Sequence, residues 1–251
     1  MQANARLSAL VELLQRDGKL DVADVAAAFG AAEMTIRRDL DRIVSMGLAR
    51  RVRGGATSLL MRGEELPFAM RVLERAPAKT RIAREVAGML RDGEAVALDS
   101  GTTTTLIARA VAGQRLTVLP LSLHAAAALP SDGTVRLLMP GGEVRPGELA
   151  MVGPLALASI GSLRFDTAIV SCCGLAGGQV STHNLGDAGV KQAIVAAAAR
   201  VILAADSSKF GQTAMAVVCD ASAADVVVTD TGAPADEVAA LEAAGLEVRC
   251  V

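Results

Sequence analysis

The chain has 251 residues, of which 52% are hydrophobic and 21% charged, and a net charge of −2. That balance supplies a substantial core and excludes a disordered chain, and the length suits one large domain or a small one joined to a medium one. No apolar run reaches the roughly 18 uncharged residues a membrane-spanning helix needs, and the stretch from Met1 to Arg6 lacks a signal-peptide core, so a soluble cytoplasmic protein is expected.

Four cysteines, Cys172, Cys173, Cys219 and Cys250, have no CxxC spacing, and His124 and His183 are the only histidines. Neither a metal nor another cofactor is expected from that set. Trp and Tyr are absent, which argues against a stacking platform for single-stranded nucleic acid. The charge is uneven: residues 1–62 hold ten Lys/Arg against seven Asp/Glu, a net of +3, and the other 189 hold fifteen against twenty, a net of −5. A basic head on an acidic body is the result.

In chain order, Leu7, Leu10, Val11 and Leu14 have helical spacing that Gly18 ends. Asp21 is placed to cap a second helix with the stripe Val22, Val25, Ala26 and Phe29, closed by Gly30. A third helix is predicted from about Ala32 to Met46. On it Thr35, Arg38 and Arg42 share one face, with Arg37 beside them, while Ile36, Leu40, Ile43 and Val44 take the opposite one. An apolar stripe against a core and a cationic stripe facing outward is the pattern of a DNA recognition helix. Leu48–Val52 then reads as a strand, turning at Arg53-Gly54-Gly55 and returning through Ala56 to Leu59, with Arg51 and Arg53 on this basic hairpin. Three helices and such a hairpin make a winged helix-turn-helix over residues 1–57.

Residues 58–78 have mixed charge, two prolines and no clear period, and read as a linker with one helical turn. From residue 79 to 251 helices alternate with short apolar strands. Helices are predicted around Ile82–Leu90, Thr103–Val111, Leu123–Leu129 and Ala188–Ala199. Strands are predicted at Ala95–Leu98, Leu116–Leu119, Val135–Met139, Thr167–Ser171, Arg200–Ala204 and Val226–Thr229, before a closing helix and strand. This is a Rossmann-like, mostly parallel α/β layout covered on both faces, with ligands expected at the carboxyl ends of strands. At the first such end, Asp99-Ser100-Gly101-Thr102-Thr103 opens a helix whose free amides can cradle a phosphate. Without a GK[ST] sequence it is not a nucleotide-hydrolysing loop. Gly141, Gly142 and Arg145 follow another strand, and Lys209, in Asp206-Ser207-Ser208-Lys209, follows a third. Asp187 and Lys191, four residues apart, can form an ordinary surface pair, and His183 and Asn184 can meet sugar hydroxyls.

Thr35-Ile36-Arg37-Arg38-Asp39-Leu40 and Arg51-Val52-Arg53-Gly54-Gly55-Ala56 resemble the TIRRDL helix and RxxGGA wing of the DeoR family of bacterial transcription regulators. A serine usually opens that helix; Ala31-Ala32 stands here, and the lost cap weakens a helix by about 1 kcal/mol. Lys79, the Asp99–Thr103 loop, Gly141-Gly142, Gly174, Lys191 and Lys209 are similar to the family's effector domain, whose fold is that of ribose-5-phosphate isomerase. The resemblance implies a repressor of a carbohydrate or polyol operon that binds double-stranded operator DNA, responds to a phosphorylated sugar or polyol, and assembles as a homo-oligomer, dimer or tetramer. Together with the residue reading above, it gives Thr35, Arg37, Arg38, Arg42, Arg51 and Arg53 as expected DNA contacts, and Asp99, Ser100, Gly101, Thr102, Thr103, Gly141, Gly142, Arg145, Gly174, Lys191 and Lys209 as expected effector contacts. The alternative is an active sugar-phosphate isomerase with a DNA-binding head. Where the isomerases carry acidic residues for proton transfer, this chain has Ser171-Cys172-Cys173-Gly174, so no catalytic residue is expected.

Overall fold

Asp21 organises the N-terminal unit from two sides. Its carboxylate accepts the Ala23 amide at 2.8 Å and caps a helix, and its backbone ends a three-residue strand. The computed structural model describes residues 3–59 and 66–251, and the chain divides into two units, Met1–Glu74 and Arg75–Val251.

The first unit runs α1 (Ala3–Asp17), β1 (Lys19–Asp21), α2 (Val22–Phe29), α3 (Glu33–Ser45), β2 (Ala49–Val52), β3 (Gly55–Ser58) and α4 (Phe68–Arg71). Leu7, Leu10 and Leu14 from α1 and Ile36, Leu40 and Ile43 from α3 close a dry core that also takes Met70 from α4. The three helices and the hairpin stand where periodicity places them. β1 was not foreseen: with Leu20 its only buried side chain, it has no alternation to read. It pairs antiparallel with β3, giving the order β1-β3-β2. That pairing explains Gly55, because a Cβ there would lie 1.8 Å from the Leu20 carbonyl oxygen. Gly54 turns the hairpin at φ +82. α3 starts at Ala32 without a side-chain cap, as its sequence predicts.

Residues 60–65, within the segment read as linker, lie outside the described residues. The end of that segment is helical, since the next helix starts at Ala76. Pro77, in the helix's first turn, needs no amide partner there.

The second unit contains α5 (Ala76–Gly88), β4 (Ala95–Leu98), α6 (Thr102–Ala110), β5 (Leu116–Pro120), α7 (Leu123–Ala128), β6 (Val135–Leu137), β7 (Glu143–Arg145), β8 (Ala150–Val152), α8 (Pro154–Gly161), β9 (Phe165–Val170), β10 (Gly174–Ala176), β11 (Gln179–Thr182), α9 (Leu185–Ala197), β12 (Ala198–Ala204), β13 (Ala216–Asp220), β14 (Val226–Thr229), α10 (Ala235–Ala243) and β15 (Glu247–Cys250). Seven strands form one parallel sheet, β15-β14-β12-β9-β4-β5-β6. Alternate side chains feed two cores. Val96, Leu98, Ile169 and Ile202 join Ile82 and Val86 of α5 and Ile107 of α6 on one face, while Ala97, Ala168, Val170 and Leu203 join Ile160 of α8 and Ile194 of α9 on the other. The expected fold class is therefore observed.

Three features were not anticipated: the β7–β8 hairpin, the helix α8, and a small antiparallel sheet β10-β11-β13. Each is short and rich in Gly, Pro or Ala, so its periodicity is too weak to read. α9 also begins three residues earlier than its apolar pattern suggests, because Asn184 caps it by accepting the amides of Gly186 and Asp187 at 2.8 and 3.1 Å. Asn184, read from sequence as able to meet sugar hydroxyls, is therefore also a helix cap.

Candidate functional site

In the N-terminal unit, Ile36, Leu40 and Ile43 are fully buried, which turns the polar face of α3 to solvent. Two ion pairs hold that face. Arg6 of α1 donates to Asp39 at 2.6 Å with both side chains largely buried, and Arg37 pairs with Glu33 one turn earlier at 3.0 Å. The side chains of Arg38 and Arg42 are exposed and make no hydrogen bond or ion pair with the described residues; Arg53, at the hairpin tip, is in the same state. Thr35 lies half-buried beside them.

Arg51 behaves differently. Its guanidinium reaches Asp41 at 2.7 Å and the Arg37 carbonyl at 2.9 Å, and so ties the hairpin to α3. Expected as a phosphate contact, it is bound within its own unit. Sequence spacing cannot show this, because Asp41 and Arg51 approach only when the hairpin folds back on α3.

In the second unit, the carboxyl ends of β4 and β9 meet at Asp99 and Ser171. Asp99 is fully buried and accepts the Ser100 amide at 2.7 Å, the Ser171 amide at 2.8 Å and the Ser171 hydroxyl at 2.9 Å. It also forms an ion pair with Lys191 of α9, whose ammonium donates to the Ser171 carbonyl at 3.0 Å. Burial pushes the Lys191 ammonium down, but the charge and hydrogen bond of Asp99 outweigh it, and the net shift is upward. Lys191 is thus a buried, permanently charged strut, not half of a surface pair with Asp187.

Asp187 has its own partner, Arg145 of β7, which grips it with two nitrogens at 2.5 and 3.1 Å. Burial raises the Asp187 carboxyl, and Arg145 offsets only part of that rise. The pair fastens the β7–β8 hairpin to the first turn of α9.

Gly101, at φ +128, opens α6 and passes close to Ser171, whose hydroxyl would lie 3.1 Å from any Cβ. The hydroxyls of Thr104 and Thr105 return to the Gly101 carbonyl at 3.1 and 2.7 Å. Those of Thr102 and Thr103 make no such bond, and with the first amides of α6 they form a row of donors at the helix start. Lys209 follows β12 in a single 3-10 turn, Ser207–Lys209, and its side chain has no partner among the described residues. Lys209 and Lys191 both lie near enough to Cys172 for their charges to act on its thiol, against the larger rise from burial. Gly174 lets the Lys209 loop close in, since a Cβ on it would lie 2.3 Å from the Gln212 carbonyl oxygen.

The site therefore gathers Asp99, Ser100, Gly101, Thr102, Thr103, Gly174, Lys191 and Lys209. Gly141 and Gly142 instead pack against the start of α8; a Cβ on Gly142 would lie 2.5 Å from the Val152 carbonyl oxygen. Among the described residues, no group of three or more metal-binding side chains occurs. Cys172 is buried and its thiol is pushed up to about 12, first by burial and then by Cys173, so it is neither a base nor a nucleophile at neutral pH.

A family profile described as "DeoR C terminal sensor domain" matches residues 74–231, and one described as "DeoR-like helix-turn-helix domain" matches residues 6–60. The chain belongs to the DeoR family. Among its DeoR-family relatives is a protein named "Putative aga operon transcriptional repressor" from Escherichia coli O157:H7, 32% identical over 97% of this chain and 92% of that one. Another is the "Glycerol-3-phosphate regulon repressor" of Escherichia coli K12, 29% identical over 93% of each. Ribose 5-phosphate isomerase A from Neisseria gonorrhoeae superposes with a TM-score of 0.36 at 14% identity, over 53% of this chain and 52% of that one. The chain is a DNA-binding transcription regulator of DeoR type with a winged head and a sensor unit, and the named relatives are regulators. No helix among the described residues is long and apolar enough to cross a membrane.

Two participants in this DeoR-type site escaped sequence reasoning. Ser171 is a lone polar residue at a strand end, and Asp187 was visible only as a partner for Lys191. Both depend on strands and helices distant in sequence, and no local motif announces them.

Proposed function

We propose that the chain represses a carbohydrate or polyol operon, and that a phosphorylated sugar or polyol in the sensor unit controls its affinity for operator duplex. The observation that carries this reading is the state of three cations of the sensor unit, Lys191, Arg145 and Lys209. Lys191 and Arg145 are neutralised by buried carboxylates, and Lys209 alone among the three lacks a described partner. One free ammonium, two unbonded threonine hydroxyls and a helix N-terminus suit a single phosphate ester. Thr35, Arg38, Arg42 and Arg53 serve as the DNA contacts, Arg38 in the major groove and Arg53 on backbone phosphate. Arg37 and Arg51 support that surface from within.

An isomerase reading lacks a base. Asp99 is held by five donors including Lys191, and the segment from Ser171 to Gly174 carries no carboxylate. The protein acts in the cytoplasm as a homo-oligomer, for which exposed Leu155, Leu185 and Met215 offer apolar surface. Control requires the effector to prefer one DNA-binding arrangement; shifting an even split to 99:1 takes about 2.7 kcal/mol of preference.

A thermal-shift screen against phosphorylated sugars and polyols tests the reading. A true effector at about 100 times its Kd should stabilise the sensor by about 2.7 kcal/mol. No stabilisation by any phosphate ester, or stabilisation equal to that by the unphosphorylated sugar, would reject it.

A further inference from the structure

The turn that carries Lys209 is built on two buried carboxylates, Asp206 and Asp230, at the ends of neighbouring strands β12 and β14. Asp206 accepts the Ser208 amide at 3.0 Å and its hydroxyl at 2.5 Å. Asp230 accepts the Ser207 amide at 2.6 Å, the Ser207 hydroxyl at 3.0 Å and the Gly232 amide at 3.1 Å. Two buried carboxylates on one turn call for a cation. Arg75 supplies it, with Nη1 donating to the Ser207 hydroxyl at 2.8 Å and Nε lying 3.9 Å from Asp206.

The Ser207 hydroxyl is thus a relay, accepting from Arg75 and donating to Asp230. The turn and the Arg75 guanidinium therefore move together as long as these bonds hold. Arg75 is also the residue at which the chain enters the sensor unit, immediately before α5. Its backbone is left-handed at φ +47, unusual for a residue with a side chain, and its carbonyl accepts the Lys79 amide that opens the helix.

We propose that Arg75 is a coupling residue, linking phosphate occupancy of the Lys209 turn to the connection between the sensor and the DNA-binding head. A phosphate drawn to Lys209 resets the Ser207–Lys209 turn. Through Ser207 it shifts the Arg75 guanidinium, and the left-handed Arg75 backbone passes that shift to the segment preceding α5. Arg75 touches no effector and no DNA in this scheme; it acts by position. The inference rests on the phosphate site proposed above.

Amide hydrogen exchange on the full chain, with inorganic phosphate as the probe, separates the two claims. At phosphate near ten times its Kd, amides at 102–104 and 207–211 should slow by about tenfold, and those at 72–79 should slow with them. In Arg75→Ala and in Ser207→Ala, 102–104 should still respond while 72–79 should not. Two variants on opposite sides of the bond guard against a folding defect in either, and response at 102–104 shows that the sensor is intact. Wild-type protection at 102–104 and 207–211 without any change at 72–79 would overturn the coupling and leave the site standing. So would protection at 72–79 that survives both substitutions. No protection at 102–104 or 207–211 in the wild type would reject the phosphate site itself and the coupling with it.

Discussion

The recognition helix and the sensor site both concentrate basic residues, yet they treat them in opposite ways. On α3, neighbouring charges are paired so that Arg38 and Arg42 stay exposed and unpaired among the described residues. In the sensor, Lys191 and Arg145 are bound by buried carboxylates, and Lys209 alone of these is left over. A surface that must meet many phosphates keeps surplus charge in water, where desolvation costs little until DNA arrives. On the proposed reading the sensor takes one small anion, and such a site cannot hold several bare cations out of water, so most of its charge is cancelled in advance and serves as scaffold.

Breaking the scaffold should have the largest effect. Asp99→Asn leaves the Lys191 ammonium buried and unpaired, and should lower sensor stability by about 3–5 kcal/mol. Denaturant unfolding, followed separately for the two units, should show the sensor transition moving while the head transition stays. The pair is no neutral-pH switch. Lys191 is raised on folding, so its contribution is fully present below the ordinary lysine pKa and is lost as pH rises through the folded value. Stability from this pair should therefore be flat across neutral pH and decline only at alkaline pH.

Removing the leftover cation comes next. Lys209→Ala deletes one charge-assisted contact of about 1.5–3 kcal/mol and should weaken sugar-phosphate binding about ten- to hundredfold by calorimetry, with the folding midpoint unmoved. In the head, Arg38→Ala should remove about 1–3 kcal/mol of discrimination between operator and random duplex. The smallest effect on DNA discrimination belongs to Arg51→Ala. Its partner Asp41 is mostly exposed, so the pair contributes at most about 1 kcal/mol to the head, and specific and random DNA should weaken together in anisotropy titrations as the wing loosens.

Much of this contrast could be read from residue order, and the exceptions share a cause. The apolar stripe Ile36-Leu40-Ile43 orients α3 unaided, and continuous apolar strands such as Ala95–Leu98 announce a parallel sheet. The Asp99–Thr103 loop is visible because amides, glycine and hydroxyls lie together in sequence. What stayed hidden was pairing between distant segments: Asp41 with Arg51, Asp187 with Arg145, Asp99 with Lys191. Spacing shows which charges can be neighbours on one helix, but tertiary contact decides which of them are cancelled. β1 was lost for a related reason, since a three-residue strand is defined by its partner β3 and not by its own pattern.

The separation of the two sets of cations is tested most directly by crossing them. Operator duplex selected from a random pool, and the sugar phosphate found by thermal shift, should be titrated against wild type, Arg38→Ala, Lys209→Ala and the double variant. Arg38→Ala should lose operator preference at unchanged effector affinity, Lys209→Ala should do the reverse in the absence of effector, and the double variant should show the two losses unaltered by each other. A Lys209→Ala protein with weakened operator binding in the absence of effector, or an Arg38→Ala protein with weakened effector binding, would contradict the division of labour between head and sensor.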